Sequence, residues 1–531
     1  VERYRPARHW LAGQSNSAKE REMAIDTASD VRAYGNYVGG EWVEASSGRT
    51  FDVVDPATEE RIATVPDMGR DDTRRAIATA RASFDSGEWS QLPGDERRDI
   101  LMQVVEKLTE HEDELAALET AQSGMTIRAT STVILGFSIT NWDYFARMAA
   151  RPAQEPLEPV SFPTHSYNFV LREPIGVVGA IVPWNFPLLM AVWKLAPALA
   201  MGNSVVLKPA SNTPLTALRL AELIDETDLP KGVVNVITGS GGTVGEELAS
   251  NPDVDKVAFT GSTEVGRRVM ELASKTVKSL TLELGGKSPT IVFDDADMDS
   301  AVDGALWATF FHQGQVCESG TRLILPSSIH DEFVERLIAR AKQIKLGDPS
   351  DYETDMGPLV SGAQHKRVAE YVRIGQAEGA TLALGGNPTT GPDGKGWFFE
   401  PTIFTGVDNQ MTIAQEEIFG PVLSVIEVAD DDEAIAVGND TIYGLAASVW
   451  SEDYDRALMA AKALRAGTVW INDHHLLNPV APFGGYKQSG LGVELGTYGL
   501  DQYTEIKHVH VDLTRDPDRK MFGVLLSEPR E

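Results

Sequence analysis

Apolar residues along this chain follow two alternating rhythms. Between Asp71 and Ala150 they recur at spacings of three and four, so DDTRRAIATARASF and RRDILMQVVEKLTEHEDELAALETAQSG predict amphipathic helices. From Ile175 the rhythm shortens to the β-rich runs GVVGAIVPW, SVVLKPA, GVVNVITG and KVAFTG, with the amphipathic stretch LTALRLAELIDET between them. Strand, turn and helix repeated in this way predict a parallel sheet covered by helices, which binds dinucleotides at the carboxyl ends of its strands. A second α/β unit follows from Ser288 to about Gly490, with the helix DEFVERLIARAKQI and the strands TLALGG, VLSVIEV and GTVWIN. Upstream, YGNYVGGEWVEASSGRTFDVVDP reads as hairpin strands joined at glycine turns. A Pro-rich passage over 151–174 interrupts the helices. TEIKHVHVDL at 504–513 alternates like an exposed edge strand, which invites association. Residues 1–33 read as a polar extension, mobile or lying on a partner subunit, and 514–531 as a charged, loosely held tail.

Composition adds limits. With 531 residues the chain exceeds one ordinary core, so two or more domains are expected, and a hydrophobic fraction of 42% suits globular packing. No run reaches about 18 consecutive apolar residues, and VERYRPARHWLAGQSNSAKE lacks a signal peptide's apolar centre. The expectation is a cytoplasmic protein without a membrane partner. Against 47 basic residues stand 78 acidic ones, a formal charge of −31. Such a surface repels phosphate backbones and excludes nucleic acid as a partner. The acidity is scattered, and two readings stand: a solvated surface, or a host whose salty cytoplasm screens the self-repulsion.

The candidate chemistry centres on GQVC at 314–317, which holds the only cysteine. One thiol forms no intramolecular disulfide and is a poor start for a metal site, so no metal is expected; packing or nucleophilic chemistry remains. Upstream, Glu283 stands in LELGGK between leucines, where partial desolvation would lift its pKa into the range of a general base. Asn185 is the one amide in PWNFP and can donate to a developing oxyanion. In FTGSTEVG, the glycines Gly261 and Gly266 would let a pyrophosphate approach a helix N-terminus. GSGGTVG at 239–245 looks more like a phosphate loop, yet a lone glycine-rich run is more often a turn.

Taken together, FTGSTEVG, GQVC, EEIFGPV at 416–422, GTVWIN and PFGGYKQSG at 482–490 occur in the order of the aldehyde dehydrogenase superfamily, which the chain resembles from about Tyr34 to about Val511. The resemblance implies an α/β fold: a Rossmann-like cofactor-binding domain (34–150 and 175–284), an α/β catalytic domain (285–499) and a β oligomerisation arm (151–174 and 500–513). It implies a homodimer or homotetramer that oxidises a small-molecule aldehyde to its acid with NAD or NADP. Cys317 would attack the aldehyde, Asn185 and the Cys317 amide would hold the oxyanion, and Glu283 would activate water against the thioester. Two alternatives stand beside it: a CoA-acylating relative, in which Glu283 would be superfluous, and a catalytically idle structural or binding member.

By the same resemblance Lys194 and Glu494 extend a proton path, or are merely ion-paired. Ile181, Val182, Pro183, Trp184, Phe259, Thr260, Gly261, Val265, Leu284 and Gly285 form the cofactor cleft. Ser262 contacts a phosphate, Gly241 and Gly245 support the adenine half, and Gln364, Glu417 and Phe419 hold the nicotinamide ribose and ring. After Lys208, many NAD-preferring members carry a glutamate that repels a 2′-phosphate; here the position is Ser211, so NADP or dual use is expected. Phe186, Trp193, Val316, Glu318, Leu477 and Phe483 would line the aldehyde pocket. Glu318 has two readings: it attracts a cationic aldehyde, or, the favoured one, it points away and pairs locally. His474 and His475 are expected at the surface or the pocket rim.

Overall fold

The computed structural model describes residues 31–526. The extension expected over 1–33 therefore lies outside the described residues, apart from its last three positions, as do 527–531 of the expected tail. Two large sheets organise the chain. The first has eight strands in the order Gly490–Leu491, Ser279–Glu283, Lys256–Thr260, Val177–Ile181, Ser204–Lys208, Val234–Val236, Asn36–Val38 and Glu41–Val43. Its five central strands are parallel. Every residue of Val177–Ile181, Ser204–Lys208 and Lys256–Thr260 is buried, as both faces are covered by helices. Apolar clusters fill both sides of this sheet, the larger one against the helices Leu135–Met148, Pro187–Ala200 and Leu215–Asp225.

Chain order fixes where a ligand can enter. From the central strand Val177–Ile181 the chain first builds Ser204–Lys208 and Val234–Val236 on one side, then Lys256–Thr260 and Ser279–Glu283 on the other. Loops leaving Ile181 and Thr260 therefore diverge, and a crevice opens at the carboxyl ends of those strands.

The second sheet runs Thr381–Leu384, Thr402–Thr405, Val422–Val428, Arg322–Pro326, Pro289–Val292, Ala446–Trp450 and Thr468–Ile471, parallel except for the first. Separate clusters again cover its two faces. The chain returns to the first sheet before 499, because Gly490–Leu491 pairs antiparallel with Leu282 and Glu283. Within the Pro-rich passage lies a nine-residue strand, Ser166–Pro174, which pairs along its whole length with Thr504–Asp512. That leaves Thr504–Asp512 as an open edge.

The long helical run breaks at His111 into Gly94–Glu110 and Glu112–Ser123. A wider π-helical turn at Thr130–Ile134 precedes Leu135–Met148; such turns are frequent beside functional sites. Among the described residues no helix is long and apolar enough to cross a membrane.

Candidate active site

The segment that carries Cys317 is shaped by its backbone. After the helix Met298–Phe310 the chain turns through His312 at φ 47°, Gln313 at φ 57° and Gly314 at φ 70°. Left-handed backbone of this kind is unfavourable for side-chain-bearing residues and marks a shape fixed by its surroundings. Gly314 has no substitute, since a Cβ there would run into the carbonyl of Gly420. The turn delivers the thiol to the junction of two hollows.

One hollow is a cavity of about 600 Å³ in the crevice of the first sheet. Pro183, Trp184 and Asn185 from one strand end, Thr260, Gly261 and Ser262 from the next, and Leu284 and Gly285 from the third form its floor. Gln364, Glu417 and Phe419 close it from the second sheet's side, with the Phe419 ring edge-on to Trp184 at 5.1 Å. Burial lifts the Glu417 carboxyl to about 7, although it accepts from the Gly286 N–H at 3.1 Å. Gln364 Nε2 donates to the carbonyls of Phe419 at 2.7 Å and Ile418 at 3.1 Å. Ser262 caps the eleven-residue helix Thr263–Ala273 by accepting from the Val265 N–H at 3.4 Å.

The remaining expected cofactor residues are not among the residues that line this cavity. Ile181 and Lys208 meet at Gly245, where an added Cβ would touch both at 3.9 Å, and Gly241 faces open space. The glycine-rich run around them is a π-helical turn entering the short helix Glu246–Ser250. Burial lowers Lys208 to about 8, and its Nζ donates to the Pro209 carbonyl at 2.8 Å. Ser211 Oγ donates to the Gly239 carbonyl at 3.3 Å. Val182 and Phe259 are core side chains, while Val265 is exposed. Sequence reasoning missed Thr263, Glu264, Arg267, Arg367, Tyr371 and Tyr443 on the cavity wall. Thr263, Glu264 and Arg267 follow Ser262 within the first two turns of the same helix, a signal readable in the sequence.

This cavity fits a dinucleotide. Its volume falls in the range of about 300–1,000 Å³ common for cofactor sites. The helix N-terminus offers unpaired amides to an anion. Gly285 leaves open the space beside Glu417, which a Cβ would occupy.

The other hollow is narrow, about 60 Å³, and almost wholly apolar in its walls. Phe186, Trp193, Leu477 and Phe483 line it, joined by Val133, Ile134, Phe137, Leu189, Trp307 and Phe311. Trp193 and Phe483 meet edge-on at 5.5 Å, and Trp307 tilts against Phe311 at 4.4 Å. Val316 is not among these walls. Its side chain is 2% exposed and packs into the larger core of the first sheet. The helical residues from the π-turn were not foreseen, since their spacing looks like any buried helix face.

Cys317, Thr260 and Met190 line both hollows. Asn185 is buried on the wide side, with Nδ2 donating to the Gln315 carbonyl at 2.9 Å two residues before the thiol. Glu283 is buried on the narrow side, and neither carboxyl oxygen has a hydrogen-bond partner among the described residues. Desolvation drives its pKa well above the carboxylate range, reinforced by the charge of Glu494. Lys194 Nζ, fully buried, donates to Thr260 Oγ1 at 2.7 Å and to Glu494 Oε1. Burial also holds the Cys317 thiol well above its usual range, with the Glu318 charge as the next cause.

Two expectations fail here. Glu318 pairs locally, yet it does not point away: Cys317 Sγ donates to its Oε2 at 3.0 Å. His474 and His475 are not at the surface or rim but 1% and 7% exposed, and His475 faces Glu318 Oε1 across 3.2 Å. The loop after Thr468–Ile471 folds inward, held by Trp470 Nε1 donating to Leu476 O at 2.8 Å and Trp307 Nε1 donating to His474 O at 2.9 Å. Among the described residues no cluster of His, Cys, Asp or Glu could hold a metal ion.

A model of the aldehyde dehydrogenase family matches residues 42–509. The betaine aldehyde dehydrogenase of Bacillus subtilis (strain 168) is 48% identical over 89% of this chain and 96% of its own length. Human mitochondrial aldehyde dehydrogenase is 45% identical over 90% of this chain and 91% of its own. Among solved structures, Staphylococcus aureus betaine aldehyde dehydrogenase in complex with NAD+ superposes with a TM-score of 0.90 at 43% identity, covering 93% of this chain and 98% of that one.

Proposed function

Because the chain belongs to the aldehyde dehydrogenase family and is an oxidoreductase acting on aldehydes, we propose that it oxidises an uncharged, apolar or aromatic aldehyde to its carboxylic acid through a thioester on Cys317. The observation that carries this reading is the place of the only thiol, where the wide polar cleft meets the narrow apolar pocket.

The chain's own groups divide the work. Cys317 attacks the aldehyde carbon. Asn185 spends one N–H on the Gln315 carbonyl, and its second amide hydrogen, with the Cys317 backbone N–H, is free to hold the oxyanion. A bound nicotinamide supplies the chemistry of accepting the substrate's hydride. Glu283, lacking partners and raised by burial, takes a proton from the water that hydrolyses the thioester. Lys194 and Glu494, buried behind it, carry that proton onward. Ser262 and the helix it caps would hold the pyrophosphate, Lys208 and Ser211 the adenosine ribose, and Gln364, Glu417 and Phe419 the nicotinamide end.

Ser211 places no negative charge beside Lys208, which supports NADP or dual use. The open edge of Thr504–Asp512 supports a homodimer or homotetramer built by strand pairing. The acidic surface fits a cytoplasmic enzyme with no nucleic-acid partner. A cationic aldehyde is the second reading, favoured by the aromatic walls and by the 48%-identical relative named for betaine aldehyde. Against it, the Glu318 charge is already engaged by His475.

The test is the rise in reduced-nicotinamide absorbance with NAD and with NADP across aliphatic, aromatic and cationic aldehydes, using Cys317→Ala as the blank. Turnover of apolar aldehydes that vanishes in the blank supports the reading. Turnover confined to cationic aldehydes would replace the substrate class, and inertness to the whole panel would favour an idle binding member.

A further inference from the structure

Cys317 carries a neighbour that its nucleophilic role does not by itself require. Glu318 turns back on the thiol, so that one carboxyl oxygen accepts from Sγ at 3.0 Å and the other faces His475 Nδ1 at 3.2 Å. The opposite ring nitrogen of His475 faces the Ala308 carbonyl at 3.2 Å. With Glu318 ionised, both ring nitrogens face acceptor oxygens, and a proton on Nδ1 is donated to the carboxylate. His475 is held at φ 66°, in the left-handed region, and its ring sits against Trp307 and Phe311. Backbone strain of this kind persists where surrounding contacts demand a particular side-chain position.

We propose that Glu318 is the proton acceptor for Cys317, and that His475 is a positioning residue that keeps Glu318 ionised and aimed at the sulfur. The inference rests on the reading of Cys317 as nucleophile. As sulfur attacks, the C–S bond forms and the carbonyl π pair moves to oxygen, while the S–H bond breaks and its proton goes to Glu318 Oε2. When water later displaces the sulfur, the same proton returns from Glu318 to the departing thiolate. Glu283 is then needed only for the proton of water, and the net proton of the reaction leaves through it.

The two carboxyl groups suit these separate tasks. Burial would raise Glu318, but the bond from His475 and the attraction of its ring, followed by the bond from the thiol, hold it below the usual range. It is therefore ionised and ready at neutral pH. Other titratable groups that act on the sulfur are Glu417 across the wide cleft and Glu283. Lys194 and Glu494 stand behind Glu283, and His474 Nε2 is occupied at 2.9 Å by the Glu318 backbone carbonyl. None of these is hydrogen-bonded to the thiol.

Because the chain holds a single cysteine, iodoacetamide alkylation of the cofactor-free enzyme reports on this sulfur alone. In the wild type the rate is expected to stay nearly level from about pH 6 to about pH 9, since the local base is ionised throughout. Glu318→Gln keeps the volume and an acceptor oxygen but takes no proton. Its alkylation should climb about tenfold per pH unit until the thiol itself ionises, and its pre-steady-state burst of reduced nicotinamide at about pH 7 should fall roughly 100-fold. His475→Gln, which retains a donor but loses the attraction of the ring, should move the acid edge of the level region upward by less than His475→Leu does. His475→Leu leaves Glu318 protonated to higher pH, so the acid edge of the level region should move upward; an unmoved edge would remove His475 from the account.

A wild-type rate that already climbs as a one-proton titration across that range would overturn the proposal, even if Glu318→Gln failed to fold. So would a Glu318→Gln burst equal to wild type. Cys317→Ala separates the two readings. Turnover without the sulfur refutes the nucleophile, whereas an inert Cys317→Ala beside a fully active Glu318→Gln refutes only the proton role.

Discussion

The two hollows that meet at Cys317 are built on opposite principles. The wide one is made of strand ends, loops and backbone, with about 600 Å³ of space and polar groups brought in from both sheets. The narrow one is made of helix faces and rings, with about 60 Å³ between aromatic walls. A parallel sheet offers its diverging strand ends to any dinucleotide, so the wide side is a property of the fold. The narrow side is set by individual side chains, and the proposed function places the chain's own specificity there. Their carboxyl groups differ in the same way. Glu283 is stripped of partners and driven up by burial, while Glu318 is paired and held down. Two such groups whose environments push them apart can take two different protons.

Substitutions test this division, beginning with the thiol both hollows share. Cys317→Ala should reduce kcat by roughly 10⁴-fold or more while cofactor titration stays unchanged. Loss of cofactor affinity in step with activity would mean that the junction is structural.

Glu283→Gln should lower steady-state kcat about 10² to 10⁴-fold while leaving the first-turnover burst intact. Its effect on stability runs the other way. A raised carboxyl binds its proton more tightly when folded, so its stabilising effect is complete below the unfolded-state pKa and is lost as pH rises through the raised value. At neutral and alkaline pH the variant should therefore be more stable by ~1–2 kcal/mol, and in acid the two should converge. Melting curves across pH check the sign; a variant less stable at every pH would mean that Glu283 has an unseen partner.

Ser211→Glu acts only on the wide side. Placing a carboxylate beside a 2′-phosphate should cut kcat/KM for NADP by roughly 100-fold and leave NAD within a few-fold. A strong NAD preference already present in the wild type and untouched by the substitution would remove Ser211 as the determinant. Phe483→Ala acts only on the narrow side. Losing that wall should raise KM for an apolar aldehyde about tenfold, with kcat and cofactor KM nearly constant. A shift in cofactor KM would show that the two hollows are coupled.

The unequal legibility of the two sides in the sequence has the same origin. Strand ends and glycine turns leave local marks, so Trp184, Thr260 to Ser262, Gly285 and Glu417 could be placed by motif, and the cavity gathers them. The narrow side depends on which way each residue turns. Val316 and Cys317 are adjacent and pack on the same core, yet only Cys317 reaches the pocket. Val133, Ile134 and Phe137 look like ordinary helix residues, and only the π-helical turn beside them marks the place. His475 lies in a loop held inward by the nearby Trp470 and by Trp307, 167 positions upstream of His474, and the second contact is one that no local pattern encodes.

The central claim is that an aldehyde becomes a thioester on Cys317 and that Glu283 is needed to release it. The most direct measurement is whole-protein mass spectrometry of Glu283→Gln mixed with an apolar aldehyde and nicotinamide cofactor, alongside the burst of reduced nicotinamide. The account predicts one equivalent of reduced cofactor and a protein heavier by the acyl group, with the added mass lost when Cys317 is replaced by Ala. An unmodified protein that turns over steadily, or an adduct that persists without Cys317, would contradict it.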